Sequence, residues 1–358
     1  MSRLSFLGKK SEPMLGIDIG TSSVKVVELA KSGSKVSVVS AANVSLPANV
    51  VVDKKIVDSE KLVDAIRRAV RVSRTKAKRA AVCVPGSAVI TRNLDLPAPS
   101  NNEDDLESLL LAEAEQYIPY SLDEVAIDFS VIGESENNPG TSHVLLAACR
   151  KEAVDDLETV LGQAGLTAGI VDVEPFCIER IYPILAGHVA EDGQGLVAVV
   201  DVGYTDMTIN ILDAGKTSFT REEPFGSRQL IEEIQRRYGL SPSEAITAEQ
   251  EGDLPEDYES EVLAPFRDLL AQQISRSLQF FYSSTQAGSV DCIIVSGGAA
   301  SDPSLANLVE EKVEVPVYTA NPFLDMKINS SIDSISLARD ASLYLVATGL
   351  ALRGISNG

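Results

Sequence analysis

A strand, a short polar turn and a second strand form the first clear pattern of this chain. The apolar runs LGIDIG at residues 15–20 and VKVVEL at residues 24–29 predict two strands, and TSS between them predicts a tight turn. Asp18 and Lys25 interrupt these runs, and a buried strand holds such groups only with a partner or a ligand. The pattern therefore predicts a β-hairpin whose turn carries chemistry.

The residues of this turn suit phosphate oxygens. Gly20 permits a backbone conformation that a residue with a Cβ resists, and we expect the turn to present its N–H groups from Gly20 to Ser23 to one point in space. The hydroxyls that would join them belong to Thr21, Ser22 and Ser23. Lys25 would add a cation, and Asp18 would face a magnesium ion or its waters rather than a bare phosphate. The alternative is a hairpin whose polar residues only decorate the turn.

The same pattern returns in the second half of the chain. VAVVDVGYTDMTINIL at residues 197–212 again places a strand before and after a polar turn, with Asp201 in the place of Asp18. The turn itself consists of Gly203, Tyr204, Thr205 and Asp206. Two copies about 180 residues apart indicate a duplicated domain. Facing hairpins would hold a polyphosphate from both sides, with Asp18 and Asp201 toward the metal.

A third segment follows the same logic. The apolar strand at residues 292–295 leads into a Ser-Gly-Gly-Ala sequence, and a helix follows. The glycines Gly297 and Gly298 allow a ligand to approach the backbone closely. The helix, capped by Ser301 or Asp302, would point its N-terminal N–H groups toward that ligand. By itself a Gly-Gly pair before a helix serves equally well as a turn, and its position after the two hairpins is what makes it informative.

Between the two hairpins, alternating strand and helix patterns predict an inserted subdomain. Residues 90–166 read as strand, helix, strand, strand and helix. Apolar residues recur at helical spacing in the first of these helices, and we expect them to pack on the subdomain's own sheet; they are Leu106, Leu109, Leu110 and Ala114. The predicted division is an N-terminal arm (1–14), a first domain (15–89, 167–195 and 334–358), the inserted subdomain (90–166) and a second domain (196–333).

The composition is that of a globular protein and excludes several classes. The net charge of −21 over 358 residues opposes general nucleic-acid binding. No run approaches the roughly 20 apolar residues that a membrane-spanning helix needs, and the N-terminus is too short and too polar for a secretion signal, so we expect a cytoplasmic protein. Four cysteines without a CxxC pair and two isolated histidines predict reduced thiols and no His/Cys metal site.

The charge is distributed unevenly. Residues 1–80 hold 16 Lys and Arg against 7 Asp and Glu, whereas the remainder holds 15 against 45. Seven of the cations lie between Arg67 and Arg79, at and after a predicted helix. Two interpretations stay open: a solvated helix face, or a patch that faces anionic lipid headgroups or an acidic partner.

Taken in order, the two hairpins and the strand–Gly–Gly–helix segment resemble the two phosphate motifs and the adenosine motif of the actin-like ATPase superfamily. The resemblance spans nearly the whole chain. It implies an α/β fold of the actin-like, ribonuclease H-like duplicated type, with two domains and the inserted small β-α-β-β-α subdomain. It also implies ATP and Mg²⁺ as ligands, with Gly297, Gly298 and Ala299 beside the nucleoside.

Two further segments receive roles from this resemblance. VDVEPFCIERI (171–181) is similar to the connecting helix of the superfamily, which places Glu174 at the carboxylate that orients the attacking water. The alternative for Glu174 is a helix N-terminal carboxylate that complements the helix dipole. LLAQQISRSLQFF (269–281) resembles the helix that borders the nucleoside, which would bring Gln273 and Arg276 to the ribose or adenine.

Within the superfamily, two stretches are similar to the actin-like proteins of type IV pilus assembly, namely residues 5–29 and EAEQYIPYSLDEVAIDFSVI (113–132). This resemblance implies a cytoplasmic ATP-binding scaffold that lies peripheral to the inner membrane. Its partner would be the N-terminal tail of a PilN-like inner-membrane pilus protein, bound at a groove beside the inserted subdomain. The rate of ATP hydrolysis stays open.

Two other functions compete with this one. The first is a filament-forming division or shape ATPase like FtsA; such proteins end in an amphipathic membrane helix, whereas this sequence ends GLALRGISNG. The second is a sugar or acetate kinase, but the acidic base and sugar-binding residues that such enzymes carry in their insertions are not found in the sequence.

Overall fold

Two large sheets and the helices around them make up the fold. The computed structural model describes residues 13–97, 103–135, 138, 140–189, 195–285 and 287–356. The strands are β1 (Met14–Ile19), β2 (Ser23–Ser32), β3 (Lys35–Ser45), β4 (Val51–Val52), β5 (Lys55–Ile56), β6 (Arg79–Val84), β7 (Val89–Pro97), β8 (Val125–Glu134), β9 (Thr141–Arg150), β10 (Thr167–Val173), β11 (Leu196–Val202), β12 (Met207–Asp213), β13 (Lys216–Glu223), β14 (Cys292–Gly297), β15 (Val317–Thr319) and β16 (Lys327–Ile328). The helices are α1 (Ser59–Ser73), α2 (Glu103–Ala114), α3 (Lys151–Gln163), α4 (Glu174–Val189), α5 (Arg228–Tyr238), α6 (Pro242–Glu251), α7 (Ala264–Thr285), α8 (Pro303–Val313), α9 (Ser334–Arg339) and α10 (Leu345–Ser356).

The two large sheets repeat one topology. The first sheet has the order β10-β6-β1-β2-β3-β16, and the second has β15-β14-β11-β12-β13. In each sheet, the first three strands along the chain pair in antiparallel fashion, as β1-β2-β3 and β11-β12-β13. Two later strands run parallel to the first of these three strands and extend the sheet on its free side, as β6 and β10 beside β1, and β14 and β15 beside β11. This repetition confirms the predicted duplicated α/β fold.

Helices cover the outer faces of both sheets and also fill the space between them. The outer face of the first sheet packs against α1 and α3, and that of the second packs against α5, α7 and α8. A third core between the sheets is built from α4 and α10 together with the inner faces of both sheets. The helices α4 and α10 cross closely, since a Cβ on Gly349 would overlap the carbonyl group of Cys177. The layer order is therefore helices, sheet, helices, sheet, helices.

The insertion is smaller than the sequence predicts. Strands β7, β9 and β8 form its antiparallel sheet, and Leu110 and Ala114 of α2 are buried against it. Leu109, which we expected to pack there, is 42% exposed, and the side chain of Leu106 lies outside the described residues. Helix α3, predicted as the last element of the insertion, packs instead in the outer core of the first sheet through residues such as Leu157 and Leu161. The apolar residues of α3 suit packing on the sheet of the insertion and on the first large sheet equally well, and only the tertiary structure shows that α3 packs on the first large sheet.

The chain also returns to the first domain earlier than predicted. Strand β16 pairs in parallel with β3, so residues before 334 already extend the first sheet. Ala320, Phe323 and Met326 lie in the core between the sheets. At the other end of the chain, Met14 begins β1 within the predicted arm, and residues 1–12 of that arm lie outside the described ones.

Candidate functional site

The two predicted hairpin turns face each other across the space between the sheets. The first turn joins β1 to β2, and the second joins β11 to β12. Thr205 Oγ1 donates a hydrogen bond to Thr21 Oγ1 at 3.1 Å, so the two turns are in direct contact. The tertiary structure thus brings together two segments that are far apart in the sequence.

Each turn is closed by its own glycine. The N–H of Gly20 donates to the carbonyl oxygen of Ser23 at 3.0 Å, and the N–H of Gly203 donates to that of Asp206 at 2.9 Å. The prediction that the Gly20 N–H points to a ligand is therefore wrong, because that donor is already used inside the turn. The corresponding hydrogen bond of Gly203 gives this glycine a structural role in the turn of the second hairpin.

A cavity of about 70 Å³ lies between the turns. The predicted residues that line it are Asp18, Ser22, Ser23, Lys25, Asp201, Gly203, Tyr204, Gly297 and Gly298. Ligand pockets for drug-sized molecules measure about 300–1,000 Å³, so this cavity fits a phosphate group and water rather than a whole nucleotide. We call it the phosphate cavity.

The sequence interpretation missed three residues that line the phosphate cavity: Ser227, Leu343 and Val346. Ser227 precedes α5, where its N–H and that of Arg228 donate to the carbonyl oxygens of Gly203 and Tyr204. The start of α5 therefore fixes the second turn. Leu343 and Val346 form an apolar wall, and nothing in their local pattern distinguishes them from other core residues.

Asp18 and Lys25 are partners across the hairpin. They are directly opposite in the antiparallel register of β1 and β2, and Lys25 Nζ lies 3.0 Å from Asp18 Oδ2. Burial lowers the pKa of Lys25, but the attraction of Asp18, Asp201 and Glu174 outweighs this effect and raises it overall. The cation stays charged inside the cavity and neutralises part of the carboxylate charge there.

Asp201 occupies the corresponding place at the end of β11. Its Oδ1 accepts a hydrogen bond from Ser296 Oγ at 2.7 Å, across the parallel pair of β11 and β14. Burial raises the pKa of Asp201, the Ser296 hydrogen bond opposes this, and the nearby charge of Asp18 raises the pKa further. The charge of Asp18 therefore acts on Asp201. A cation between the two carboxylates would offset both the cost of burying them and their repulsion.

The carboxylate pair fits a magnesium ion that brings phosphate ligands with it. Among the described residues, no group of three or more His, Cys, Asp and Glu side chains could hold a metal ion alone. Mg²⁺ is usually bound through one or two carboxylates, waters and the phosphates of a substrate. Asp18 and Asp201 would supply these two carboxylates.

Glu174 begins α4 beside these carboxylates but does not line the phosphate cavity. Burial raises the pKa of Glu174 to about 7; the attraction of Lys54 lowers it, and Asp201 and Asp18 raise it. Lys54 Nζ lies 3.6 Å from Glu174 Oε2 and 2.8 Å from Glu222 Oε1. Lys54 comes from the β4–β5 turn and Glu222 from β13, so this ion-pair group joins the β4–β5 hairpin to the second sheet beside α4.

The sequence interpretation also missed Lys54 and Glu222. Lys54 stands in a tight turn with a φ of 60°, next to Asp53 with a φ of 48°. Its neighbour Lys55 has the same chemistry and is exposed, so no local signal identifies Lys54. Only the tertiary structure shows which lysine reaches the second sheet.

The third predicted segment is packed against the second hairpin. Gly297 ends β14 with a φ of 87°, and a Cβ there would overlap the backbone of Val202. The N-cap of α8 is Asp302, whose side chain accepts from the N–H of Ser304 at 2.9 Å and also pairs with Arg267. Asp302 is one of the two predicted caps, and the expectation that the N-terminal N–H groups of this helix face a ligand stays a prediction.

Several predicted residues lie outside the phosphate cavity. They are Gly20, Thr21, Thr205, Glu174, Gln273, Arg276 and Ala299. Gln273 is partly buried and Arg276 is exposed on α7, and their predicted contact with a nucleoside stays a prediction. The arrangement as a whole offers carboxylates, hydroxyls and one lysine around a phosphate-sized space.

Comparisons with known proteins identify a family and solved structures that are similar to this chain. The model of a family described as type IV pilus assembly protein PilM matches residues 16–355. Among solved structures, the chain is similar to a chain of a PilM-PilN type IV pilus biogenesis complex, at 27% identity and a TM-score of 0.76, with 96% of this chain and 98% of that chain covered. It also resembles the ethanolamine utilization protein EutJ from Carboxydothermus hydrogenoformans at 16% identity and a TM-score of 0.55, with 94% of this chain and 88% of that chain covered. The second likeness shows the fold alone.

Within the part of the chain that the structure describes, no helix has both the length and the apolar character to cross a membrane.

Proposed function

The chain belongs to the family of type IV pilus assembly protein PilM, and from this premise we propose that it is a cytoplasmic ATP-binding scaffold of the pilus assembly complex, peripheral to the inner membrane. The observation that carries the proposal is the likeness to the PilM-PilN complex over nearly the full length of both chains. We further propose that its partner is the N-terminal tail of a PilN-like membrane protein.

The phosphate cavity supports nucleotide binding. Asp18 and Asp201 would hold a magnesium ion that neutralises the phosphate charge, while the hydroxyls of Ser22 and Ser23 would contact phosphate oxygens. Lys25 lies in the same cavity as a buried cation. Because the cavity fits a phosphate rather than a whole nucleotide, the ribose and base would occupy the adjoining surface near Gly298.

Glu174 supports a slow hydrolytic role. Its pKa of about 7 leaves the carboxyl near half ionisation at neutral pH, which suits a group that accepts a proton from water. Lys54 holds one of its oxygens, and this contact orients the side chain. The binding of ATP has the support of nine residues around one cavity, whereas hydrolysis depends on this single carboxylate.

The nucleotide site can be tested with conservative variants. We expect Asp18→Asn and Asp201→Asn each to weaken Mg²⁺-dependent ATP binding tenfold or more, which is about 1.4 kcal/mol, because each removes one anionic metal ligand. The measurement is isothermal titration calorimetry with ATP, in magnesium and in EDTA. Asp213→Ala is the matched control, since Asp213 lies exposed at the far end of the second hairpin.

In EDTA the wild type and the variants should bind ATP with similar weak affinity. Unchanged binding in magnesium for both variants would remove the metal assignment. Weakening of the same size in EDTA would show that the two aspartates act through the fold instead.

The partner can be tested separately. A synthetic peptide with the sequence of the PilN-like N-terminal tail, titrated against the purified protein with and without ATP, should bind with a one-to-one stoichiometry. A scrambled peptide is the control. Absence of binding under both conditions, together with ATP-dependent polymers in electron micrographs, would refute the scaffold proposal in favour of a filament-forming protein.

A further inference from the structure

One end of the first sheet collects exposed cations from three separate segments. Met14 and Arg79 pair at the start of β1 and β6, and Thr167 pairs with Arg79 at the start of β10, so these residues mark the end of the sheet at which its parallel strands begin. The exposed cations at this end are Lys31 and Lys35 in the β2–β3 hairpin, Arg71 and Arg74 at the end of α1, and Lys76 and Lys78 before β6. We call this surface the basic end.

The hydrogen-bond network fixes the three segments side by side. Thr75 Oγ1, between α1 and β6, donates to Glu28 Oε2 of β2 at 2.6 Å, and Ser40 of β3 donates to the same carboxylate oxygen. The β2–β3 hairpin continues from there to its tip at Ser32 and Lys35. The cations of the α1–β6 connection and of the hairpin tip therefore share one end of the domain.

The basic end lies opposite the phosphate cavity. Asp18 stands four residues after Met14 in β1, on the order of 13 Å further along the strand. The cations of the basic end are therefore separate from Lys25, which lies at the cavity. A role in holding ATP does not account for them.

Within the described part of the chain, no neighbour neutralises the cations of the basic end. Among the described residues, the side chains of these six form no hydrogen bond or ion pair, whereas interior cations such as Lys54, Arg180 and Arg267 are paired. The sequence contains no Asp or Glu in residues 29–52 or 65–94, although acids outnumber bases 52 to 31 overall. Glu28 is buried, and Asp325 lies two residues before Lys327, which pairs with Ser37 in the register of β16 and β3.

Stabilisation of α1 explains only part of this arrangement. Arg71 and Arg74 lie at the helix C-terminus, where a cation complements the helix dipole. Lys31, Lys35 and Lys78 belong to no helix, so the dipole does not account for them. Their common feature is the surface that they share.

We propose that the basic end binds the headgroups of an anionic lipid surface directly. A membrane meets only one end of the molecule, and the Debye length of about 8 Å at physiological ionic strength screens the acidic remainder of the chain. A long nucleic acid would extend over the acidic parts as well and would be repelled there. Val72, which is 62% exposed beside Arg71, adds apolar contact with a lipid interface. Such contact orients the phosphate cavity away from the membrane.

The proposal is tested with the purified full-length chain, without partner or nucleotide. Co-sedimentation is measured with vesicles of phosphatidylcholine alone and of phosphatidylcholine mixed with phosphatidylglycerol. We expect binding to the mixed vesicles only, and loss of binding in 1 M salt, where the Debye length falls to about 3 Å. The triple variant Arg71→Gln, Lys76→Gln, Lys78→Gln should bind about a hundredfold more weakly, at about fivefold per cation.

The matched control removes three exposed cations from other surfaces: Arg92→Gln, Lys151→Gln and Lys312→Gln. It has the same net charge as the test variant and should bind like the wild type. Equal weakening in both variants, or no binding of the wild type to the mixed vesicles, would overturn the proposal. Binding to RNA that exceeds binding to the vesicles would overturn it as well.

The partner titration separates this surface from the proposed function. We expect the test variant to bind the PilN-like peptide as the wild type does. If the test variant loses both peptide binding and vesicle binding, the basic end serves the partner, and the lipid assignment is refuted.

Discussion

Glu174→Gln should make the protein more stable at neutral and higher pH, although Glu174 is the proposed catalytic carboxylate. The side chain is 17% exposed and lies near Asp18 and Asp201, so ionisation in the folded state is unfavourable. Glutamine has nearly the same shape and carries no charge. Removal of the charge therefore removes a cost that the folded state bears only when Glu174 is ionised.

The magnitude follows from the raised pKa. The pKa of Glu174 moves from 4.5 to about 7, and each unit corresponds to about 1.36 kcal/mol. A carboxyl group with a raised folded pKa contributes stability that is fully present below its unfolded pKa and is lost as the pH rises through its folded pKa. The wild type should thus lose about 3 kcal/mol from this group between pH 4.5 and pH 7, and the variant should lose none of it.

The assay is urea denaturation at a series of pH values across and above this window, with the nucleotide-free protein. The difference in free energy of unfolding, variant minus wild type, should rise by about 3 kcal/mol with pH and then level off. Glu158→Gln, at an exposed position of α3, is the control and should show no such rise. A difference that is constant with pH, or that falls as the pH rises, would refute the raised pKa and the role that rests on it.

Two further changes test the architecture around the site. Lys54→Met should lower the free energy of unfolding by about 2–3 kcal/mol, because it leaves the Glu174 and Glu222 carboxylates without their shared cation, and Glu174→Gln in the same chain should restore part of the loss; no loss in the single variant would contradict the ion-pair group. Gly297→Ala should cost about 3 kcal/mol or more, because its φ is 87° and a Cβ has no space, whereas Gly298→Ala, whose Cβ would meet its nearest neighbour at 3.7 Å, should fold normally. Thermal unfolding compares these two glycine variants, and equal midpoints would contradict the predicted close packing.

The local sequence determined the parts that depend on short-range patterns. Alternating apolar residues and the Gly-containing turns identified both hairpins, and their repetition identified the duplication. Seven of the predicted residues that line the phosphate cavity belong to the two hairpins, and each hairpin holds its own turn residues together whatever surrounds it. Within the first hairpin, the short turn sets the antiparallel register that makes Asp18 and Lys25 direct neighbours.

Only the tertiary structure decided which elements share a core and which charges meet. The apolar stripe of α3 fits either sheet, and packing alone assigned it to the first domain rather than to the insertion. Lys54 and Lys55 are adjacent residues of the same type, yet of these two only Lys54 reaches Glu174 and Glu222. The physical reason is that hydrophobic burial is non-directional and ion pairing depends on distance, so both are settled by where the sheets place their residues, not by spacing along the chain.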